Sequence, residues 1–141
     1  MKPKIFIDTD IILDLFAKRE PFNKAAIVLF SLVEKNKVHA FTTPVVFSNL
    51  FYILTKFKTR KFAHSTLRKL RLLLSIIQVD EKVIDLALNS DFKDFEDAIQ
   101  YYAAKLNNLE FIITRNVKDF SSKVINVLTA DDFIERFGAI P

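Results

Sequence analysis

The sequence has no cysteine and only two histidines, His39 and His64, among its 141 residues. Without cysteine the chain can form no disulfide, no thiolate nucleophile and no cysteine-based zinc site. Two isolated histidines do not make a histidine metal cluster. Any metal site in this protein must therefore be built from oxygen ligands.

Glycine is almost absent as well, since Gly138 is the only one. The motifs GxxxxGK[ST] and GxGxxG do not occur, which argues against P-loop and dinucleotide-binding functions. No apolar run reaches the roughly 18 residues of a membrane span, and the charged start does not resemble a signal peptide. We therefore expect a cytoplasmic protein with no membrane partner.

Apolar residues, in contrast, make up 50% of the chain and include 15 phenylalanines. This content and the length predict a single domain, residues 1–141, with one hydrophobic core. The formal net charge is +4 and the pI is about 9.3. Such a charge fits a polyanionic partner, but it is also common in proteins that bind none.

Strand and helix patterns alternate along the whole chain. The short, continuous apolar strands are typical of a parallel sheet that is covered on both faces. The sequence therefore predicts an α/β fold with three layers, α/β/α, around a central parallel sheet of four or five strands. The expected strands are residues 5–7, 38–41, 76–79, 110–114 and 124–128, and the main expected helices are residues 11–18, 23–36, 44–56, 81–89 and 94–106.

The first strand runs directly into acidic residues. Asp8 follows it, and Asp10 lies two positions later. Open α/β sheets bind their ligands at the carboxyl ends of the strands, which is where Asp8 is expected. Alternatively, either aspartate could simply cap the helix that begins there, because aspartate is a favoured N-cap.

A second acidic cluster, Asp94, Glu96 and Asp97, opens the helix at residues 94–106. Asp94 and Asp97 are three positions apart and share one side of the helix, whereas Glu96 and Asp97 point about 100° apart. Capping by Asp94 is a complete structural explanation, yet three carboxylates exceed what a cap needs. The expected core face of this helix is Phe95, Ile99, Tyr102, Ala103 and Leu106.

The helix at residues 44–56 is apolar apart from one stripe that contains Ser48, Asn49 and Tyr52. Either Asn49 is an ordinary satisfied interior amide, or the stripe faces the acidic site. The segment that follows is the most basic of the chain. Its charge is either the solvated side of an amphipathic helix or a track for phosphates, formed by Lys56, Lys58, Arg60 and Lys61.

Three motifs, in this order, resemble the PIN domain family. DTDIILD at residues 8–14 is close to the family's opening D-T-N-x-L-L-D, DFEDA at residues 94–98 matches its second acidic region, and TRNVKDF at residues 114–120 is close to T-R-[DN]-x-x-D-F. The family consists of Mg²⁺- or Mn²⁺-dependent ribonucleases and includes the VapC-type toxins of toxin–antitoxin modules. The resemblance covers nearly the whole chain.

The resemblance implies that Asp8 and Asp97 are metal ligands for Mg²⁺ or Mn²⁺ and act in catalysis together with Asp119. Asn49 stands where most members have a glutamate, which leaves the site one negative charge short. Glu96 is the candidate for supplying that charge. Both Asn49 and Glu96 are therefore included among the expected catalytic residues.

The resemblance also places other residues around this site. Asp10 stands where the family usually has asparagine. The expected supporting residues are Asp10, Asp94, Ser48, Thr114 and Asn116, and the expected nucleic-acid contacts are Lys56, Lys58, Arg60, Lys61 and Arg115.

The expected function is metal-dependent hydrolysis of phosphodiester bonds in single-stranded RNA by the toxin of a toxin–antitoxin module. Carboxylates brought together from distant positions repel one another, and a hard divalent cation removes that penalty. The expected partners are RNA, a cognate antitoxin and a second copy of the chain in a homodimer.

Two alternatives stay open. The first is a nucleic-acid-binding module with a degenerate site. The second is a phosphatase-like or response-regulator-like domain, although the lysine expected late in such a chain has no clear candidate.

Overall fold

The computed structural model describes residues 2–120 and 124–138. Its five strands are β1 (Lys4–Ile7), β2 (His39–Thr42), β3 (Ser75–Ile76), β4 (Phe111–Ile113) and β5 (Asn126–Leu128). They form one fully parallel sheet in the order β3-β2-β1-β4-β5. The prediction of a parallel sheet of four or five strands is confirmed.

Seven helices of the described part of the chain flank this sheet and complete the predicted α/β/α arrangement. No helix among the described residues is long and apolar enough to cross a membrane. The helices are α1 (Thr9–Phe16), α2 (Asn23–Glu34), α3 (Pro44–Phe57), α4 (Arg60–Leu73), α5 (Glu81–Leu88), α6 (Phe95–Leu106) and α7 (Ala130–Phe137).

Strand β1 lies in the middle of the sheet, and its residues Ile5, Phe6 and Ile7 are all 0% exposed. It pairs with β2 on one side and with β4 on the other. The backbone N–H of Asp8 continues the ladder by donating to the carbonyl of Ile113 at 3.0 Å. Because the strands are parallel, the residues that follow β1 and β4 come out at the same edge of the sheet.

Side-chain caps fix where six of the seven helices of the described residues begin, and α1, α3 and α6 are among them. Asp8 caps α1, Thr43 caps α3 ahead of Pro44, and Asp94 caps α6 by accepting a hydrogen bond from the N–H of Asp97 at 3.1 Å. The capping interpretation is thus correct for Asp8 and Asp94. It does not exclude a further role, because a carboxylate has about four lone-pair sites and a cap uses only one of them.

Asn23, at the start predicted for α2, does not cap this helix, although asparagine is a favoured N-cap. Residue Phe22 already has helical dihedrals, φ −78° and ψ −21°, and Asn23 donates its N–H to the carbonyl of Arg19 at 2.8 Å. The turn before the helix therefore continues directly into it. No extended N-cap residue is present, and none of the side chains there makes a capping hydrogen bond.

The third strand is shorter and earlier than the predicted residues 76–79. Only Ser75 and Ile76 pair with β2, and a last hydrogen bond joins the N–H of Ile77 to the carbonyl of Thr42 at 2.9 Å. β2 ends at Thr42 because the next two residues begin α3. Beyond that point β3 has no partner strand.

The buried side of α6 also differs from the expectation. Phe95 is 47% exposed and Leu106 38% exposed, so neither belongs to the core. Gln100, in contrast, is 1% exposed. The buried residues of the helix are Ala98, Ile99, Gln100, Tyr101, Ala103 and Ala104. Ile99 and Ala103 are therefore buried as expected, and the rest of the buried side differs from the prediction.

Candidate active site

An acidic pocket lies at the edge of the sheet where β1 and β4 end. Its walls come from the start of α1, the start of α6 and the segment after β4. Arg19, Arg115 and Asn116 contribute to its lining. The carboxylates that line it are Asp8, Asp10, Asp94, Glu96, Asp97 and Asp119.

Asp8 lies at the base of this pocket and is only 6% exposed. One carboxylate oxygen accepts the N–H of Thr9 at 2.7 Å, and the other accepts the hydroxyl of Thr114 at 2.8 Å. Burial, followed by the charge of Asp10, raises the pKa of Asp8 to about 7, although these hydrogen bonds act in the opposite direction. The charged form of Asp8 therefore lacks a positive partner.

The charged form of Asp97 is disfavoured as well. Its pKa is also raised to about 7, first by burial and then by the charges of Asp94, Asp8, Asp119 and Glu96. These carboxylates come from three separate parts of the chain, yet they are close enough to repel one another. A cation placed among them would remove this repulsion.

Gln100 is a site residue that the sequence did not reveal. Its amide Nε2 donates to Glu96 Oε1 at 3.2 Å, and its side chain also lowers the pKa of Asp8 through a hydrogen-bonding interaction. Gln100 Oε1 is buried with no hydrogen-bond partner among the described residues. The available signal was its position one helical turn after Glu96, and it was missed because glutamine is usually solvent-exposed.

The segment after β4 is tied to the start of α1. Asp10 Oδ2 accepts hydrogen bonds from the backbone N–H of Arg115 and from Nδ2 of Asn116, both at 3.3 Å. The N–H of Asn116 donates to the hydroxyl of Thr114 at 3.1 Å. Burial raises the pKa of Asp10, and the bond and charge of Arg115 oppose that rise. Hydrogen bonds among Asp10, Thr114 and Asn116, together with the Arg115 backbone N–H, therefore fix the segment after β4 against the start of α1.

Two arginines share one buried carboxylate beside the pocket. Asp14 is 1% exposed, and its two oxygens lie 3.2 Å from Nε of Arg19 and 3.3 Å from Nε of Arg115. Burial raises the pKa of Asp14, and the two guanidinium groups oppose that rise. Arg115 was anticipated as a nucleic-acid contact, whereas Arg19 was not anticipated at all.

Asn49 and the basic segment lie outside the pocket lining. Asn49 is half-buried in α3, and Ser48 and Tyr52 of the same stripe are exposed, Tyr52 by 61%. The polar stripe is therefore largely solvated and needs no buried partner. The other expected site residues absent from the lining are Ser48, Lys56, Lys58, Arg60, Lys61 and Thr114, although Thr114 contacts the site by donating to Asp8.

The donor chemistry of the pocket fits a hard divalent cation. Most of the side-chain oxygens in its lining belong to carboxylates, and Asp8 and Asp97 carry the repulsion that such an ion relieves. As the side chains lie, no three acidic or histidine side chains within residues 2–120 and 124–138 are close enough together to hold an ion. Binding would require carboxylates to turn toward a shared position.

A family model described as PIN domain matches residues 4–118 of the chain. The chain belongs to the PIN domain family. Ribonuclease VapC1 of Aquifex aeolicus (strain VF5) is 30% identical to this PIN domain over 142 residues, and the match covers 97% of each chain. The family resemblance inferred from the three motifs is confirmed.

Solved structures agree at the level of the fold. VapBC2 from Rickettsia felis, bound to a DNA fragment from its promoter, matches 88% of the PIN domain and 96% of its own chain with a TM-score of 0.67 and 17% identity. A toxin–antitoxin complex from Klebsiella pneumoniae matches 89% and 97% of the two chains with a TM-score of 0.67 and 24% identity. The three-layer architecture is therefore the one that VapC-like proteins share.

Proposed function

We propose that this PIN domain is an endoribonuclease that depends on Mg²⁺ or Mn²⁺ and hydrolyses phosphodiester bonds of single-stranded RNA. The observation that carries the proposal is the acidic pocket, whose lining brings together Asp8, Glu96, Asp97 and Asp119 from three separate parts of the chain. The similarity to Ribonuclease VapC1 supports the same class of substrate.

In this proposal Asp8 and Asp97 hold the cation, with Glu96 and Asp119 beside them. When bound, the cation lowers the pKa of a water molecule and neutralises charge on the scissile phosphate. Thr114 keeps the Asp8 carboxylate oriented by donating to one of its oxygens. The Gln100 amide orients Glu96 in the same way.

The test is cleavage of an end-labelled single-stranded RNA by purified protein. Wild type should cleave it in Mg²⁺ or Mn²⁺, and EDTA should abolish cleavage. Asp8→Asn and Asp97→Asn should each lower the rate by at least about 100-fold, because each keeps the side-chain shape and deletes a negative charge. Asp132→Asn, at an exposed aspartate of α7, is the matched control. Cleavage by either pocket variant at the wild-type rate would contradict the proposal.

A second candidate is an RNA-binding PIN domain that does not cleave. Two observations favour it: Asn49 replaces the family's usual glutamate, and no three acidic side chains of the described residues converge on one point. The same assay separates the two functions. Binding of the RNA without any cation-dependent cleavage would establish this candidate and exclude the first.

We further propose that the PIN domain is the toxin of a toxin–antitoxin module and that its antitoxin binds an apolar groove between α1, α2 and α4. The groove has a volume of about 970 Å³, and its walls include Ile27, 52% exposed, and Leu72, 88% exposed. Lys18, Lys58 and Lys69 line it against a single acidic residue, Glu34. An antitoxin segment with apolar side chains flanked by acidic ones would fit both properties.

Expression of the wild-type chain should arrest growth of the host cell, and co-expression of the neighbouring gene of its module should restore growth. Leu72→Glu should keep the arrest but abolish the rescue, because it places a charge on the apolar wall. Leu88→Glu, at a leucine of α5 that is 66% exposed, is the matched control. Unchanged rescue of Leu72→Glu would show that the antitoxin binds elsewhere.

The homodimer and the cytoplasmic location stay predictions of the sequence and of its family resemblance. Sedimentation equilibrium measures the first directly, since one chain has a mass of 16.3 kDa. Fractionation of the source cells measures the second. Both measurements are independent of nuclease activity.

A further inference from the structure

In the cluster of Asp14, Arg19 and Arg115, two positive side chains pair with a single negative one. Two guanidinium groups contribute two positive charges, and Asp14 contributes one negative charge, so the cluster has a net charge of +1. Each arginine approaches Asp14 through Nε only. Its terminal nitrogens are therefore left for other partners.

These terminal nitrogens are little used within the described part of the chain. Arg19 Nη2 donates to the carbonyl of Asp10 at 3.3 Å, and neither Nη of Arg115 makes a hydrogen bond to a described residue. The Arg115 guanidinium lies over the ring of Phe22, 4.1 Å from its centre. The side chains of Arg19 and Arg115 are 39% and 27% exposed, so that a ligand in the pocket can reach both.

We propose that Arg19 and Arg115 form a phosphate-binding pair at the rim of the acidic pocket, which takes a backbone phosphate of RNA next to the one that is cleaved. The inference rests on the proposed nuclease function, since it concerns the same pocket. Asp14 is the positioning residue of the pair: it touches no substrate and fixes the direction of both guanidinium groups.

Phosphate is the ligand that this geometry suits. A guanidinium group is planar, stays charged, and presents a fork of N–H donors that matches the oxygens of a phosphate. Stacking on Phe22 and pairing with Asp14 hold the Arg115 fork in place before any ligand arrives, which lowers the entropy lost on binding.

The pair also answers an electrostatic problem of the site. Six carboxylates line the pocket and repel an RNA strand, and Arg19 and Arg115 are the two cationic side chains in that lining. The lysines and arginine of the basic segment lie outside it. The pair is therefore placed to attract the strand at the point where the carboxylates repel it.

The experiment measures binding of a fluorescent single-stranded RNA in EDTA, at several salt concentrations, so that no cleavage occurs. Arg19→Gln and Arg115→Gln should each reduce the slope of log K against log salt by about 0.7, the loss of one phosphate contact to a single strand. Arg136→Gln, at an exposed arginine of α7, should leave the slope unchanged. An unchanged slope in both pocket variants together with a reduced slope in Lys61→Gln would overturn the pair and favour the basic segment.

A measurement on wild type covers the case in which an arginine variant fails to fold because Asp14 is left less well paired. Phenylglyoxal modifies exposed arginines, and mass spectrometry locates the modified sites. Saturating RNA should protect Arg19 and Arg115 but not Arg136. Equal modification of all three with and without RNA would overturn the inference.

The failure of this inference differs from the failure of the nuclease proposal. Wild-type cleavage in Mg²⁺, with wild-type KM and salt slope in Arg19→Gln and Arg115→Gln, would refute the pair and leave the nuclease standing. RNA binding whose slope depends on both arginines, without cation-dependent cleavage, would support the pair and refute the nuclease. Absence of any RNA binding by wild type would overturn both.

Discussion

Asp8 and Asp97 combine two properties that oppose each other, since a metal site needs their charge and their surroundings disfavour it. Both pKa values are raised from 3.8 to about 7. A carboxyl group whose pKa is higher in the folded state than in the unfolded chain binds protons more tightly when folded. The metal-free protein therefore loses stability from these groups as the pH rises from about 4 to about 7, and the loss is complete above that window.

This relation predicts that Asp8→Asn stabilises the metal-free protein at pH 8. The gain should be roughly 1–3 kcal/mol, because asparagine removes the buried charge of a side chain that is 6% exposed. The gain should disappear near pH 4, where wild-type Asp8 is protonated. Urea unfolding in EDTA at both pH values measures it.

Asp132→Asn, which changes an exposed carboxylate, serves as the control and should have little effect at either pH. A lower stability of Asp8→Asn than of wild type at pH 8 would mean that the Thr9 and Thr114 hydrogen bonds outweigh the burial of the charge.

Gln100 leads to a second prediction about a single side chain. Gln100→Leu has a similar volume and is buried, so the fold should survive, but Glu96 and Asp8 lose the amide that orients them. Mn²⁺ binding measured by calorimetry should weaken by about 10-fold, the usual effect of removing a partner of a metal ligand.

Gln78→Leu, at an exposed glutamine, is the matched control. If Mn²⁺ affinity were the same in Gln100→Leu and in wild type, the Gln100 amide would have only a packing role.

At the start of α6, one acidic side chain caps the helix and two others line the acidic pocket. Asp94 makes the cap, and it is the exposed member of the cluster. Glu96 and Asp97 are half-buried and line the pocket together, despite pointing about 100° apart on the helix. Both can face it because the pocket wraps around the helix end and is not confined to one side of it.

This placement predicts that the negative charge missing at Asn49 of α3 is supplied by Glu96 of α6. Glu96→Gln should weaken Mn²⁺ binding in a calorimetric titration by about 10-fold, since it removes one charge from the pocket wall. Asn49→Asp adds a negative charge to α3 with almost no change in side-chain shape. It should leave the Mn²⁺ affinity unchanged, because position 49 does not line the pocket.

The prediction would be wrong if Asn49→Asp tightened Mn²⁺ binding and Glu96→Gln had no effect. Such a result would show that position 49 of α3, and not Glu96, lies at the metal site. In that case the polar stripe of α3 would approach the metal when it binds.

Whether an element could be predicted from the sequence depended on local signals. The Thr43-Pro44 start of α3 was predictable because both residues act through their own backbone. The bounds of β3 could not be predicted from its own sequence, because they depend on where its partner β2 ends. β2 ends at Thr42 because α3 begins immediately after it. The buried side of α6 was predicted correctly at Ile99 and Ala103 only, because the burial of Gln100 and Tyr101 depends on neighbouring elements that the local sequence does not position.

At the level of the whole molecule, the strand pattern was sufficient for the parallel sheet and for the meeting of its carboxyl ends. The expectation that Asp8, Asp97 and Asn116 meet at one edge agrees with the pocket lining, whereas Asn49, expected at the same place, does not line the pocket. The Asp14 cluster could not be predicted, because Arg19 lies in a turn and reaches the pocket only through the tertiary fold. Backbone topology was readable from the sequence, and long side chains that cross between elements were not.

The position of β1 in the middle of the sheet also constrains how the protein can be made. Of the five strands, β1 leaves the ribosome first, and its β2 partner follows within about 40 residues, whereas Thr114 lies 106 positions after Asp8. A nascent chain that ends before β4 can pair β1 with β2, but it lacks Thr114, Arg115 and Asp119. The acidic pocket is thus incomplete until most of the chain has been synthesised, which gives a cell that makes this protein an interval in which the emerging polypeptide carries no finished site.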